Sequence, residues 1–172
     1  RAIGQQDPEY WKNYITQAAK VAHFVNHRIR IAVSASSYGS RDSTLYYWAA
    51  GKTSPVDVLG FSMMPGFDGA TSLDTHMRVA QRWMHSFQDK PKAHWVFAAG
   101  GYPLAHGEKS QELALWGVLA WATSQPQIKG LVVHEAGDYD VLSGLRSANG
   151  RYRSAMGAVL RAEKGLAENS SQ

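Results

Sequence analysis

The stretch AHWVFAAGG, residues 93–101, and the stretch after it, SQELALWGVLAWATS, residues 110–124, decide the fold. The first is short, carries aromatic and β-branched residues at its centre and stops at two glycines, the pattern of a strand running into a turn. The second is apolar around most of its circumference, which predicts a nearly buried helix. Together they make one strand–helix unit, and the same unit recurs on both sides.

Upstream, VDVLGFSMMP, residues 56–65, reads as a strand entered from Pro55 and stopped by Pro65 and Gly66. Ser72 caps a following helix whose apolar residues Leu73, Met77, Ala80, Met84 and Phe87 recur at steps of four and three. Before that, RIRIAVSAS, residues 28–36, is a β-branched strand, with a short helix predicted over 44–50 and closed by Gly51. An opening helix over 8–26 starts at Asp7 and Pro8, an N-cap carboxylate and a first-turn proline, and repeats Trp11, Ile15, Ala18, Ala22 and Val25. Downstream, IKGLVVHEAGD, residues 128–138, is a fourth strand, and a last helix runs over 154–166. One helix followed by four strand–helix units predicts a parallel sheet with right-handed crossovers. We expect a single domain over 1–172, with 168–172 a disordered tail.

Composition is consistent with that reading. The 172 residues are 44% hydrophobic and 19% charged, enough for a core and against disorder, and 6 Trp and 8 Tyr point to a rich core or a stacking surface. The net charge of +4 is scattered apart from a modest cluster at Arg146, Arg151, Arg153 and Arg161, without the basic stripe of a nucleic-acid binder, so no nucleic-acid partner is expected. With no cysteine, disulfide and thiolate chemistry are excluded and the redox compartment is left open, so export is neither supported nor excluded. No apolar run approaches the ~20 residues of a membrane span and no signal peptide is evident, so a soluble chain with no membrane partner is expected. The opening RAIGQQDPEYW, without methionine, suggests a processed chain or a piece of something longer.

Two architectures suit the order, an open α/β sandwich or part of a (β/α)8 barrel. The GxGxxG turn of a dinucleotide-binding sandwich and a GxxxxGK[ST] phosphate loop are both missing, so no cofactor is expected. In a barrel the site forms from residues at the C-terminal ends of the strands. Those positions hold Ser34 and Ser36, Met63 and Met64, Ala99 to Tyr102, and His134, Glu135 and Asp138.

At those strand ends the chain resembles the C-terminal half of a clan A glycoside hydrolase barrel. VDVLGFSMMPGF is similar to the family's sixth strand, a Val-Asp-x-Leu-Gly run into Tyr-Pro, with Met64 and Pro65 in place of that pair. WVFAAGGYPLAHGEKSQ is similar to the seventh strand and its loop, Thr-Glu-x-Gly-Tyr-Pro and then Gly-Glu-x-x-Gln. IKGLVVHEAGDYD resembles the eighth strand, and SGLRSANGRYRSA the run before the last helix. The resemblance implies half of a (β/α)8 barrel that acts on or binds a polysaccharide or oligosaccharide. It also implies two departures. Ala99 stands where the family has its nucleophilic glutamate, and the general-acid glutamate belongs to a strand ahead of the first helix, before this sequence begins. The replacement at Ala99 fits natural decay, an engineered knockout or a redeployed scaffold.

Among the remaining carboxylates, Glu135 lies two residues beyond Val133, so if Val133 lines the barrel Glu135 points into its mouth. Asp138 and Glu108 sit in adjacent strand-end loops and could complete an acid/base pair. The plain alternatives are that Glu135 pairs with Arg146, that Asp138 caps a turn, and that Glu108 precedes or caps the next helix. Tyr102 and Tyr139 are the aromatic residues placed for stacking on a sugar, with Ser36, Tyr38 and His134 beside them as substrate contacts. Other tyrosines and Phe67 near the loops are divided between stacking and packing, and Trp11, Trp83, Trp116 and Trp121 are assigned to the core. His106, Glu108, His134 and Asp138 could hold a metal in a hydrolase or lyase, but their spacing follows no metal motif, and no metal is expected. The serines do not form the G-x-S-x-G of a nucleophile elbow. His85 and His94 read as structural.

Four parallel strands with helices on one face leave the other face bare, lined in this reading by Trp95, Phe97, Leu131 and Val133. At about 25 cal/mol per Å2, a few such side chains are worth several kcal/mol when covered. A partner is therefore expected, either a second copy making a homodimer or a missing N-terminal half-barrel, unless the last helix folds over the open face.

Overall fold

The computed structural model describes residues 7–64, 73–87, 92–99, 107–134 and 144–169. The elements are α1 (Pro8–Val25), β1 (Ala32–Ala35), α2 (Ser40–Ala50), β2 (Val58–Ser62), α3 (Leu73–Ser86), β3 (Ala93–Ala99), α4 (Glu108–Ser124), β4 (Ile128–Val133) and α5 (Ser154–Asn169). The strands form one sheet in the order β1-β2-β3-β4, every pairing parallel. This is an open α/β sheet with the strand–helix alternation of a partial (β/α)8 barrel.

Each helix starts for a local reason. At α1 the Asp7 carboxylate accepts the Glu9 N–H at 3.1 Å, with Pro8 in the first turn. The α2 helix starts at Ser40, four residues ahead of the expected Thr44, because Asp42 reaches back to the strand that precedes it. Its Oδ2 accepts the backbone N–H groups of Ser36, Ser37 and Tyr38 at 2.8, 2.8 and 3.0 Å. A carboxylate in the first turn also suits the positive end of the helix dipole. α4 is entered through Gly107 at its N-cap position, whose φ of 89° favours glycine. α5 continues to Asn169, beyond the expected Leu166.

The main core lies between the sheet and the helices, where Leu59, Phe61, Met63, Val96, Tyr46, Trp83 and Met84 pack together. A second cluster joins Leu115 and Leu119 of α4 to Ala155 and Ala158 of α5. α5 therefore belongs to the helix layer and does not fold across the open face. α4 is less buried than its composition suggests, since Leu113 and Trp116 are exposed and the Arg161 guanidinium lies 5.6 Å over the Trp116 ring.

Trp95 and Phe97 lie on the open face as expected, their rings 5.9 Å apart and nearly parallel. They lie across glycines of the flanking strands. A Cβ on Gly60 would stand 2.4 Å from the Phe97 ring, and one on Gly130 would stand 2.5 Å from the Trp95 ring. Leu131 and Val133, expected on the same face, instead pack against α4 and α5. The reason is a slip of register. His94 pairs with Ile128 but Trp95 with Gly130, so Lys129 is an extra residue in β4 and the alternation from there on is displaced by one. Val132, 44% exposed, takes the open side.

Candidate functional site

The C-terminal ends of the four strands lie at one end of the sheet, the end at which barrel enzymes carry their chemistry. At β1 that end is built by Asp42, whose three accepted hydrogen bonds fix the Ser36–Tyr38 turn. Ser36 is exposed there. With Ser34, Arg41, Asp42, Pro8, Trp11 and Tyr14 it lines a groove of about 360 Å3 between β1, α1 and α2. This groove brings a hydroxyl, a guanidinium, a carboxylate and two aromatic rings to the mouth. Trp11, assigned to the core by its helical spacing, is half-buried and shared with this groove.

Tyr38, expected to contact a ligand, is turned the other way. Its φ of 56° places it in the left-handed region, and its ring stacks 4.4 Å from that of His76 on α3. Its hydroxyl donates to the Ser62 carbonyl at 2.8 Å. Held over the core between α2 and α3, it braces the mouth from outside the cleft.

β3 ends at Ala99, where the resemblance puts a nucleophile. Val96 pairs with Leu131 and Ala99 with Val133, so β3 carries one extra residue next to its end. Such bulges commonly re-aim residues at sites. Glu108 follows as the first residue of α4, and its carboxylate pairs with the Arg151 guanidinium at 2.5 Å. The cap position is Gly107, so Glu108 neither precedes nor caps the helix but forms its first residue, held by an ion pair.

His134 follows β4, two residues after the open-side Val132. Glu135, Asp138, Tyr102, Tyr139, His106 and Phe67 lie outside the described residues. The argument that aimed Glu135 into the mouth used Val133 as a barrel-lining residue, and Val133 packs against the helices, so that step falls. Arg146, the alternative partner of Glu135, donates to the Gly150 carbonyl at 3.0 Å and lies 5.6 Å over the Tyr152 ring. The rest of the arginine cluster is also engaged locally: Arg153 is buried and donates to the Gly144 carbonyl, and Arg161 pairs with Glu112 at 3.4 Å. The hydrogen bond from Lys109, with help from Arg161, holds the Glu112 carboxyl below its usual range.

Away from the mouth, His94 is 3% exposed at the start of β3, and burial lowers its pKa to about 4. Its Nδ1 lies 3.4 Å from the Tyr46 hydroxyl, whose own pKa is raised, first by burial and then by Tyr47. Both are structural, as read for His94 from the sequence. Among the described residues no group of three His, Asp or Glu side chains could hold a metal ion, and no helix is long and apolar enough to cross a membrane. The larger cavity of about 860 Å3, lined by α3 with Gln125 and Gln127, opens at the opposite end, ahead of β4. It lies away from the strand ends and carries no part of this site.

Asp42, Arg41 and Tyr14 were not singled out from the sequence. A carboxylate in the first turn after a strand rich in serine was the signal for Asp42, and the run SRDS hid it by resembling a loop.

The fold has solved counterparts. The native xylanase 10B from Thermotoga maritima superposes with a TM-score of 0.68 at 18% identity, over 90% of this chain and 53% of that one. The chain has the fold of part of a (β/α)8 barrel. The xylanase 10B from Thermotoga petrophila, solved with xylobiose, gives 0.67 at 16% identity, over 90% of this chain and 52% of that one. A β-glucuronidase from Ruminococcus gnavus, solved with an N1-substituted uronic isofagomine, gives 0.60 at 11% identity, over 93% of this chain and 30% of that one. These neighbours are glycoside hydrolases, and this chain spans about half the length of the xylanases. No family model and no curated protein matches the sequence.

Proposed function

We propose that the chain is the C-terminal half-barrel of a glycoside-hydrolase-type protein whose mouth, at the C-terminal ends of β1 to β4, takes up a polysaccharide or oligosaccharide. The observation that supports this reading is the superposition of 90% of the chain on a xylanase, together with hydroxyl, charged and aromatic residues collected at the same end. Hydrolysis of a glycoside needs one carboxylic acid to protonate the leaving oxygen and one carboxylate to act as nucleophile or to activate water. With Ala99 unable to serve, Glu135 takes the acid or base role, and Asp138 or Glu108 the second. Glu108 must leave Arg151 to do so. Tyr102 and Tyr139 stack on sugar, with Ser36 and His134 contacting its hydroxyls. A second four-stranded body completes the wall of the cleft, which excludes water from the reacting bond.

A second reading is favoured by Ala99 itself: a carbohydrate-binding or assembly module that keeps the scaffold without the chemistry. Reducing-sugar release and glycan retention on affinity gels, measured for the parent and for Glu135→Gln, separate the two. Release abolished in the variant supports catalysis. Binding without release supports the module, and neither binding nor release overturns both.

A further inference from the structure

Arg78, Arg82 and His85 recur on α3 at steps of four and three, which lines them up within about 60° of arc and over about 10 Å of the helix. All three line the cavity of about 860 Å3 bounded by α3 and the end of α4, together with Gln81, Gln125 and Gln127. Among the described residues no carboxylate and no Phe, Tyr or Trp ring lines it. Asp74 pairs with Arg78 at 2.5 Å, both side chains exposed. Among the described residues no carboxylate pairs with Arg82 or His85.

Helix stability does not account for this stripe. The inward face of α3 is formed by His76, Ala80, Trp83 and Met84, all buried. A cation suits the negative end of a helix dipole, but that effect falls off within the last turn and reaches His85 alone of the three. Arg78 and Arg82, one turn apart, are like charges that oppose the helix. An exposed pair such as Asp74 with Arg78 contributes little, and it leaves Arg82 uncompensated. An anion bound in the cavity offsets the repulsion that the stripe creates.

The surrounding charge has the same sign. In a parallel sheet every connection from a helix into the next strand returns to the same end. The described connections and strand starts bring Arg28, Arg30, Lys52, Lys92 and Lys129 there against one carboxylate, Asp57, which accepts the Ile31 N–H at 2.8 Å. Such a bias raises the local concentration of anions and speeds their arrival. Neither β1 nor the rings of the open face contribute to the cavity.

We propose that this cavity binds an acidic saccharide, a sugar carrying carboxylate or phosphate groups. Arg78 and Arg82 hold the oxyanion, because a guanidinium presents paired N–H donors that match a carboxylate or a phosphate. The carboxamides of Gln81, Gln125 and Gln127 both donate and accept, which suits hydroxyl groups. The volume lies within the range of small-molecule sites. Without a Phe, Tyr or Trp ring the cavity offers no stacking surface for a nucleobase, which disfavours a nucleotide. The site lies away from the mouth and stands whether or not the mouth takes sugar.

Calorimetric titration of the 172-residue chain at low ionic strength tests it, with trigalacturonate and glucose 6-phosphate as acidic probes and xylotriose as the neutral one. Binding of an acidic probe is expected, weakened about tenfold in Arg82→Gln but not in Lys20→Gln, which removes the same charge from an exposed position on α1. Arg82→Lys, which keeps the charge and loses the fork, is expected to recover only part of that loss. Binding of trigalacturonate alone identifies the acid group as a carboxylate, and binding of glucose 6-phosphate alone identifies it as a phosphate; either supports the site. Equal affinity in the parent and Arg82→Gln, or equal loss in Arg82→Gln and Lys20→Gln, overturns it. Displacement of the acidic probe by xylotriose, or no binding of either acidic probe, overturns it too. Xylotriose binding by itself reports on the mouth, so the two readings stand or fall separately.

Discussion

Gly60 and Gly130 make room for the two rings that cover the middle of the open face. On Gly60 a methyl group would meet the Phe97 ring at 2.4 Å and the Val33 carbonyl oxygen at 3.0 Å, and the carbonyl cannot move without the strand. Gly60→Ala is therefore expected to lose about 2 kcal/mol, and Gly130→Ala, which meets only the half-exposed Trp95 ring, about 1 kcal/mol. Urea unfolding checks both. Phe97→Leu should recover part of the first loss, and strict additivity in the double variant would show that the ring is not the obstacle. His94 gives a second prediction, in pH. The buried ring stays neutral down to about pH 4, whereas the unfolded chain takes up the proton near the ordinary histidine value of 6.5. Its contribution is complete above pH 6.5 and is lost as pH falls from there toward 4, since the unfolded state then binds more protons. With incomplete desolvation allowed for, the loss is about 2 kcal/mol. Denaturation midpoints measured across that interval should fall in the parent and fall less in His94→Phe; parallel curves would count against the assignment.

At the level of elements, the turn after β1 depends on a single side chain. Asp42 accepts three backbone N–H groups at once, those of Ser36, Ser37 and Tyr38, so Asp42→Ala is expected to cost about 2 kcal/mol and Asp42→Asn less. Hydrogen exchange at Ser36, Ser37 and Tyr38 should quicken in Asp42→Ala while β2 stays protected; unchanged exchange would mean that the turn is held by something else. The elements were largely legible before the structure, because α1 and α3 carry apolar stripes, α4 is apolar almost all round and the strands end at glycine, proline or small polar residues. What stayed hidden was register. Nothing in IKGLVV announces that Lys129 is an extra residue, since the slip is set by how Trp95 fits over Gly130, a contact between strands. The side of the sheet that Val133 takes was hidden for that reason, and Glu135 lies outside the described residues. The direction of the Tyr38 ring was hidden by a similar limit, because its left-handed backbone goes with the Asp42 carboxylate and the ring of His76, neither of which its own propensity announces.

Across the whole molecule, the helix layer is well packed, while among the described residues no helix covers the half-exposed Trp95 and Phe97 on the opposite face. The chain alone is therefore expected to bind a hydrophobic dye such as anilinonaphthalene sulfonate, and Trp95→Thr with Phe97→Thr to lower that fluorescence several-fold while the far-UV circular dichroism persists. Equal dye binding by the double variant would place the accessible apolar surface elsewhere. The candidate site was legible as a location and less so as a list of side chains, because strand ends can be read from glycine and proline, whereas side-chain direction depends on bulges and on distant carboxylates.

The sheet order β1-β2-β3-β4 is also the order of synthesis. Each strand after β1 finds its neighbour already laid down as it leaves the ribosome, and only β1 waits, for the strand that follows it. The chain can thus assemble by successive addition at one growing edge, and loss of residues from its C-terminal end would shorten the sheet without breaking its continuity.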